Sequence, residues 1–152
     1  MIARRIMGLA LTLLLAAPPL MAQGGTPQAF LDSIYRAYTE KGFKGHPYNL
    51  AERYFAGPLR EAIEKDFAES KKRGEAPMLN GDPFIDAQET EIANVAVTAW
   101  STGPTTAMGV ATFTNFGKPQ RVTLELVSTP AGWRITEIKA PSGSLRAMYK
   151  LK

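Results

Sequence analysis

The second half of the chain contains four segments in which apolar and polar residues alternate, with short turns between them. In the segment "QRVTLELV", Val122, Leu124 and Leu126 recur at every second position, which is the period of a strand with one buried face. The four segments span residues 89–100, 105–116, 120–129 and 132–139. Strands joined by loops this short pair with their neighbours in sequence, so we predict a four-stranded antiparallel meander.

The residues before these segments have helical periodicity. In "TPQAFLDSIYRAYTEKG", Thr26 can cap a helix, Pro27 suits its first position, and Gly42 ends it. A second helix begins at Pro58 and ends at Gly74, with apolar residues every four positions. Helices followed by strands predict an α+β fold, in which the N-terminal helices pack on one face of a curved sheet.

Four short motifs occur in an order that resembles a known family. They are "FLDSIYRAY", "DPF" followed by "AQ", "GWRITEI" and "SLRAMY". Together they resemble the exported bacterial DUF3828 family, and the order of helices then strands is similar to the NTF2-like (cystatin-like) architecture. The resemblance implies that fold and an export route. The function of the family is unknown, so the resemblance carries over no catalytic residue.

The N-terminal stretch "MIARRIMGLALTLLLAAPPLMAQ" has the three parts of a secretory signal peptide. Arg4 and Arg5 give a positive start, an apolar run follows, and the small residue Ala22 stands before Gln23. The run is shorter than the roughly 20 residues that a membrane span needs. We predict a signal peptide over residues 1–22, a periplasmic or secreted protein, and no membrane span after cleavage.

The remaining chain has the size of one domain. Removing residues 1–22 leaves residues 23–152, which we interpret as a single NTF2-like domain of 130 residues. It has 16 basic and 14 acidic side chains, a net charge of +2, which is too small to indicate nucleic-acid binding. The sequence contains no cysteine, which excludes disulfides and thiolate metal sites.

An acidic stretch, "LNGDPFIDAQET", places Asp82, Asp86 and Glu89 close together in sequence. A calcium loop requires closely alternating oxygen ligands. Asp82 and Asp86 are four residues apart, and Pro83 biases Asp82 towards an extended conformation. We therefore predict no metal site and no cofactor here.

The same stretch is better interpreted as a loop that leads into the first strand. Asp82 can accept backbone hydrogen bonds and organise the turn. Phe84 and Ile85 are apolar, and we expect them to plug one end of the core.

No nucleophile or phosphate-binding motif is present, so no catalytic residue is assigned. The single histidine, His46, precedes a proline, and we interpret it as an ordinary solvated loop residue. The NTF2-like resemblance implies proton transfer by a pocket Asp with Tyr or His in some enzymes. Asp32 and Asp86 are the candidates here, and neither lies on a clearly apolar face.

A candidate ligand pocket rests on three aromatic residues. Tyr35 and Tyr38 belong to the aromatic stripe of the first helix, and Trp100 lies in the first strand. The alternative is that all three residues belong to the hydrophobic core, as aromatic stripes of helices and tryptophans of strands usually do. The same alternative applies to Trp133, in the last predicted strand.

Two classes of function remain. The favoured class is a non-catalytic binding module for a small apolar ligand or for an envelope protein partner. The alternative is a small exported isomerase or hydrolase-like enzyme that uses a pocket carboxylate as base. The binding module predicts an apolar pocket or exposed apolar patch, and the enzyme predicts a buried, unpaired carboxylate that faces an open pocket.

The signal-peptide interpretation predicts that the exported protein starts at Gln23. Intact-mass measurement of the protein recovered from outside the cytoplasm checks this. A full-length mass, with the protein retained in the membrane, would contradict it.

Overall fold

One antiparallel sheet dominates the computed structural model, which describes residues 25–152. Its strand order follows the sequence: β1 (Ile92–Ser101), β2 (Thr106–Asn115), β3 (Lys118–Thr129), β4 (Gly132–Ala140) and β5 (Gly143–Ser144). The α+β class and the four predicted strands are confirmed. The sheet has five strands rather than four, because Gly143 and Ser144 turn back to pair with the end of β4. Two residues are too few to show a period-2 pattern.

Three helices accompany the sheet: α1 (Pro27–Tyr35), α2 (Gly57–Arg73) and α3 (Leu145–Met148). The predicted cap of α1 is confirmed, since the Thr26 hydroxyl accepts a hydrogen bond from Ala29 N at 3.0 Å. The α-helix is shorter than predicted, because the chain tightens into a 3₁₀ turn over Arg36–Thr39 before Gly42, a common ending for helices. Gly74 ends α2 in the left-handed conformation, as predicted.

The core lies between the helices and one face of the sheet. The sheet contributes alternate residues of β2 and β3, including Phe113 and Leu124, which are buried. From the helices come Leu31, Ile34, Tyr35, Leu59 and Ile63, all buried. Helix α1 therefore packs on β1 and β2, and α2 packs on β4.

Helix α1 approaches β2 closely at Gly109. A Cβ atom built on Gly109 would lie 2.2 Å from Leu31 Cδ1, and Leu31 is fully buried. The absent side chain therefore sets how closely the helix can pack on the sheet.

The exposed edge of β1 is covered by one side chain of α1. Gln28 Nε2 donates to Val97 O at 3.0 Å, and Gln28 Oε1 accepts from Ala99 N at 2.7 Å. The amide thus forms the hydrogen bonds that another strand would form with β1. It protects this strand edge from pairing with a second chain.

The predicted signal peptide, residues 1–22, and its cleavage position lie outside the described residues. Within residues 25–152, none of the helices has the length and apolar character needed to cross a membrane.

The close approach of Leu31 to Gly109 predicts that substitutions at these two positions have non-additive effects on stability. Gly109→Ala should lower the free energy of unfolding by about 1–3 kcal/mol through overpacking, and Leu31→Ala by about 2–5 kcal/mol through a cavity. Because each change relieves the other, the double variant should lose clearly less than the sum. Urea unfolding of all four proteins measures this cycle, and strict additivity would show that the two residues do not compete for space.

Candidate functional site

The loop between α2 and β1 enters the core. Phe84 is 0% exposed and Ile85 is 1% exposed, so the prediction that they plug one end of the core is confirmed. The Phe84 ring stacks on Phe55, with centroids 5.9 Å apart and planes within 5°.

Two side chains satisfy the buried backbone of Phe84. The Tyr35 hydroxyl donates to Phe84 O at 2.9 Å, and Asp82 Oδ1 accepts from Phe84 N at 3.0 Å. The predicted role of Asp82 as a backbone acceptor is confirmed. Asp82 N also donates to Ala87 O at 2.8 Å, which closes the loop.

The second carboxylate oxygen of Asp82 has a different partner. Oδ2 accepts a short hydrogen bond of 2.5 Å from the Tyr38 hydroxyl. Burial raises the pKa of Asp82, although the bonds from Tyr38 and Phe84 N and the nearby His46 partly oppose this rise. The pKa values of four tyrosines are raised by burial and by the Asp82 charge: Tyr35, Tyr38, Tyr48 and Tyr54.

His46 is not the solvated loop residue that the sequence suggested. Its half-buried ring lies edge-on to four aromatic rings, at centroid distances between 4.8 and 5.6 Å: Tyr38, Phe43, Tyr54 and Phe84. Nε2 lies 2.7 Å from Ile34 O. Because a carbonyl only accepts, Nε2 carries a proton and donates, and Nδ1 faces the Tyr54 hydroxyl at 3.4 Å. The ring fills space between aromatic neighbours that are distant in sequence.

A cleft of about 420 Å³ opens beside these groups, and we call it the Asp82 cleft. It is lined by Phe43, Lys44, Gly45, His46, Tyr48, Asn80, Gly81, Asp82, Gln88 and Thr90. Gly45 has a φ of +97°, and a Cβ there would lie 3.7 Å from Asp82 Oδ2. The missing side chain leaves room next to the carboxylate.

The other candidate carboxylates have structural partners. Asp86 accepts from Ser142 N at 2.9 Å and from the Ser142 hydroxyl. Asp32 bonds to Gln28 at 2.9 Å and pairs with Arg36 at 3.4 Å on the surface. Among residues 25–152, no three potential metal ligands come together. Asp82 is a half-buried carboxylate that lines a cleft, and the sequence did not single it out as a base.

The three predicted pocket residues differ in their exposure to solvent. Tyr35 and Tyr38 lie together, with ring centroids 6.3 Å apart, but both are buried. Trp100 is 45% exposed and points away from the core-facing Val97 and Ala99, because alternate residues of a strand face opposite sides. The core interpretation of Trp100 is therefore wrong.

The second strand tryptophan is only partly buried. Trp133 packs against the edge of the core and donates its indole N–H to Gly25 O at 3.3 Å.

A larger cleft of about 630 Å³ lies between α2 and the C-terminal segment, and we call it the α2 groove. Its apolar lining is formed by Pro58, Ala62, Ala76, Pro77, Met78, Tyr149 and Leu151. Its charged lining is formed by Glu61, Lys65, Asp66, Glu69 and Arg73. No sequence pattern indicated this groove, because its walls come from three separate segments.

Asp66 holds one wall of the α2 groove together. Its carboxylate accepts from Met78 N at 2.8 Å, Leu79 N at 3.0 Å and the Tyr149 hydroxyl at 2.7 Å. Partial burial would raise the pKa of Asp66, but these three hydrogen bonds outweigh it and leave the pKa below its usual value.

Comparison with known proteins gives one structural likeness. No family model matches the chain, and no curated protein matches it. Among solved structures, it is similar to a phospholipid-binding protein from Ralstonia solanacearum, solved in complex with a phospholipid, with a TM-score of 0.37 and 16% sequence identity. The match covers 78% of this chain and 58% of that protein. A likeness of this degree establishes neither a common fold nor a common function.

The lowered pKa of Asp66 predicts a pH-dependent contribution to stability. The contribution is fully present above the unfolded value near 3.8 and is lost as the pH falls through the lower folded-state pKa. Asp66→Asn should therefore cost about 1 kcal/mol at pH 7, since the carboxylate is partly solvated, and the difference from wild type should shrink as the pH falls below 3.8. Urea unfolding across pH checks this, with Glu61→Gln on the same helix as control. An Asp66→Asn penalty independent of pH would contradict it.

Proposed function

We propose that the protein is an exported, non-catalytic binding protein that holds a small apolar molecule in the α2 groove. The observation that carries this proposal is the groove itself. Its volume of about 630 Å³ lies in the range of about 300–1,000 Å³ typical of small-molecule sites. The apolar members of its lining come from α2, the following loop and the C-terminal segment.

Met78 is a large apolar side chain of this lining that is exposed to water. It is 59% exposed, although its backbone N–H is fixed by Asp66. Methionine is flexible and polarizable, and it suits surfaces that adapt to apolar ligands of different shape. A bound apolar molecule would remove this side chain from water.

Four of the five charged side chains of the groove already have partners, and Glu61 is the fifth. Glu69 pairs with Lys65 at 3.8 Å and with Arg73 at 3.6 Å, and Asp66 accepts three hydrogen bonds. Since these charges already have partners, an apolar ligand fits the groove better than a strongly charged one.

Export and family membership are part of the same proposal. The signal-peptide pattern of residues 1–22 supports a periplasmic or secreted location. The order of the four motifs, together with helices that precede an antiparallel meander, supports membership of the DUF3828 family with an NTF2-like fold. An apolar ligand in the cell envelope is consistent with both.

The enzymatic alternative now rests on Asp82 rather than on Asp32 or Asp86. A catalytic base needs a carboxylate with a raised pKa within reach of a substrate. Asp82 lines a cleft and has a raised pKa, but Tyr38 and Phe84 N each bond one of its oxygens. It is therefore not the unpaired carboxylate that the enzyme hypothesis requires, and binding remains our proposal.

The groove proposal predicts that Met78→Asp weakens binding of an apolar probe by about tenfold or more, because burying a methionine contributes about 1.5–3 kcal/mol. Fluorescence titration with the uncharged probe N-phenyl-1-naphthylamine measures this. Met148→Asp is the matched control, since Met148 is also exposed, at 39%, but does not line the groove. Equal loss in both variants, or no binding to wild type, would contradict the proposal.

Native mass spectrometry of protein from envelope extracts tests the natural occupant. A retained lipid-like molecule that Met78→Asp removes would support binding in the α2 groove.

A broad hydrolase and isomerase screen tests the enzymatic alternative. Turnover that is abolished by Asp82→Asn, with the fold intact, would favour an enzyme.

A further inference from the structure

We propose that the Asp82 cleft is a second binding site, separate from the α2 groove, and that it takes a small organic cation with a primary ammonium group. The proposal rests on the charge, the free acceptor positions and the aromatic lining of this cleft. It does not depend on what occupies the groove.

Asp82 forms no ion pair within 4.0 Å in the described part of the chain, although the ring of His46 lies nearby. Ion pairs there involve other carboxylates: Asp32, Glu64, Glu69, Glu75 and Glu125. The partners of the Asp82 carboxylate are neutral, a tyrosine hydroxyl and a backbone N–H. Asp82 is half-buried, and carboxylates withdrawn from water are usually paired with a cation or bind a metal. No metal cluster forms among residues 25–152. A cationic ligand would supply the missing charge.

The carboxylate retains capacity to accept more hydrogen bonds. Two oxygens offer about four acceptor positions, and protein donors fill one on Oδ1 and one on Oδ2. An ammonium group has three donors. It can bond Asp82 through one of them, and Asn80 and Thr90, which line the same cleft, carry further acceptor oxygens.

The cleft has room and aromatic surface for the body of such a ligand. Gly45 leaves open the space beside Oδ2. Phe43, His46 and Tyr48 supply aromatic rings along the walls. The faces of phenylalanine and tyrosine rings attract cations, with about 0.5–2 kcal/mol per favourable contact, so Phe43 and Tyr48 suit a cationic ligand as the carboxylate does.

The lining of the Asp82 cleft contains two basic side chains, Lys44 and His46. Lys44 is exposed and forms no ion pair with Asp82 within 4.0 Å. Its ammonium group would repel a bound cation. Removing it should therefore strengthen binding without disturbing the core.

The experiment compares three probes of similar shape and different charge by calorimetric titration at pH 7: benzylamine, benzyl alcohol and benzoate. Wild type should bind benzylamine at least about tenfold more tightly than benzyl alcohol, as expected for a charge-assisted bond inside a cleft. Benzoate should bind more weakly than either. Equal affinities for the amine and the alcohol would overturn the proposal.

Two variants and one control test whether the amine binds next to Asp82. Asp82→Asn should reduce benzylamine affinity to that of the alcohol, whereas Asp86→Asn, in the same loop but bonded to Ser142, should leave it unchanged. Lys44→Ala should tighten benzylamine binding by about two- to fivefold, the size of an exposed charge interaction. Selectivity retained in folded Asp82→Asn would overturn the proposal. Where Asp82→Asn does not fold, the Lys44→Ala result decides, and unchanged or weaker amine binding would contradict the site.

Discussion

The burial of Phe84 is the constraint on which this end of the molecule depends. Phe84 belongs to a loop, yet its ring is fully buried, and a loop residue that enters the core carries its backbone polar groups with it. Each group left without a partner would cost about 1–3 kcal/mol. Tyr35 satisfies the carbonyl and Asp82 the N–H. The need to bury one aromatic ring therefore places a half-buried carboxylate next to the core.

That carboxylate in turn shapes its surroundings. A buried charge must be stabilised by donors, and Tyr38 provides the second bond to Asp82. Aromatic rings, including that of His46, then close the space around Tyr38 and Phe84.

The backbone groups at the edges of the sheet also need hydrogen-bond partners. Gln28 occupies the outer edge of β1, and the segment at Phe55 pairs with Ile135 of β4. In both places a side chain or a short segment serves backbone groups that are distant in sequence.

This distinction explains which features could be predicted from the sequence. Strand alternation, the Thr26 cap and the Gly74 terminus are local patterns, and each was confirmed. The roles of Gln28 and His46 depend on residues that folding brings close. Helical periodicity places Gln28 on a polar face, but its partners in β1 are 69 and 71 residues away. The loop position of His46 indicates solvent, but the structure surrounds the ring with aromatic side chains. The α2 groove was missed for the same reason, because no segment contains it.

The segment between the α2 groove and the Asp82 cleft is held by hydrogen bonds to two carboxylates. Asp66 binds the backbone at Met78 and Leu79, and Asp82 binds it at Phe84. Met78 lines the α2 groove, and Asp82 lines the other cleft. Since the backbone is anchored on both sides, neither of the two proposed sites would need to order this segment when a ligand arrives. Binding would then avoid much of the entropy cost of immobilising a loop. Under both proposals, the hydrogen bonds that make the loop part of the core also preorganise the clefts.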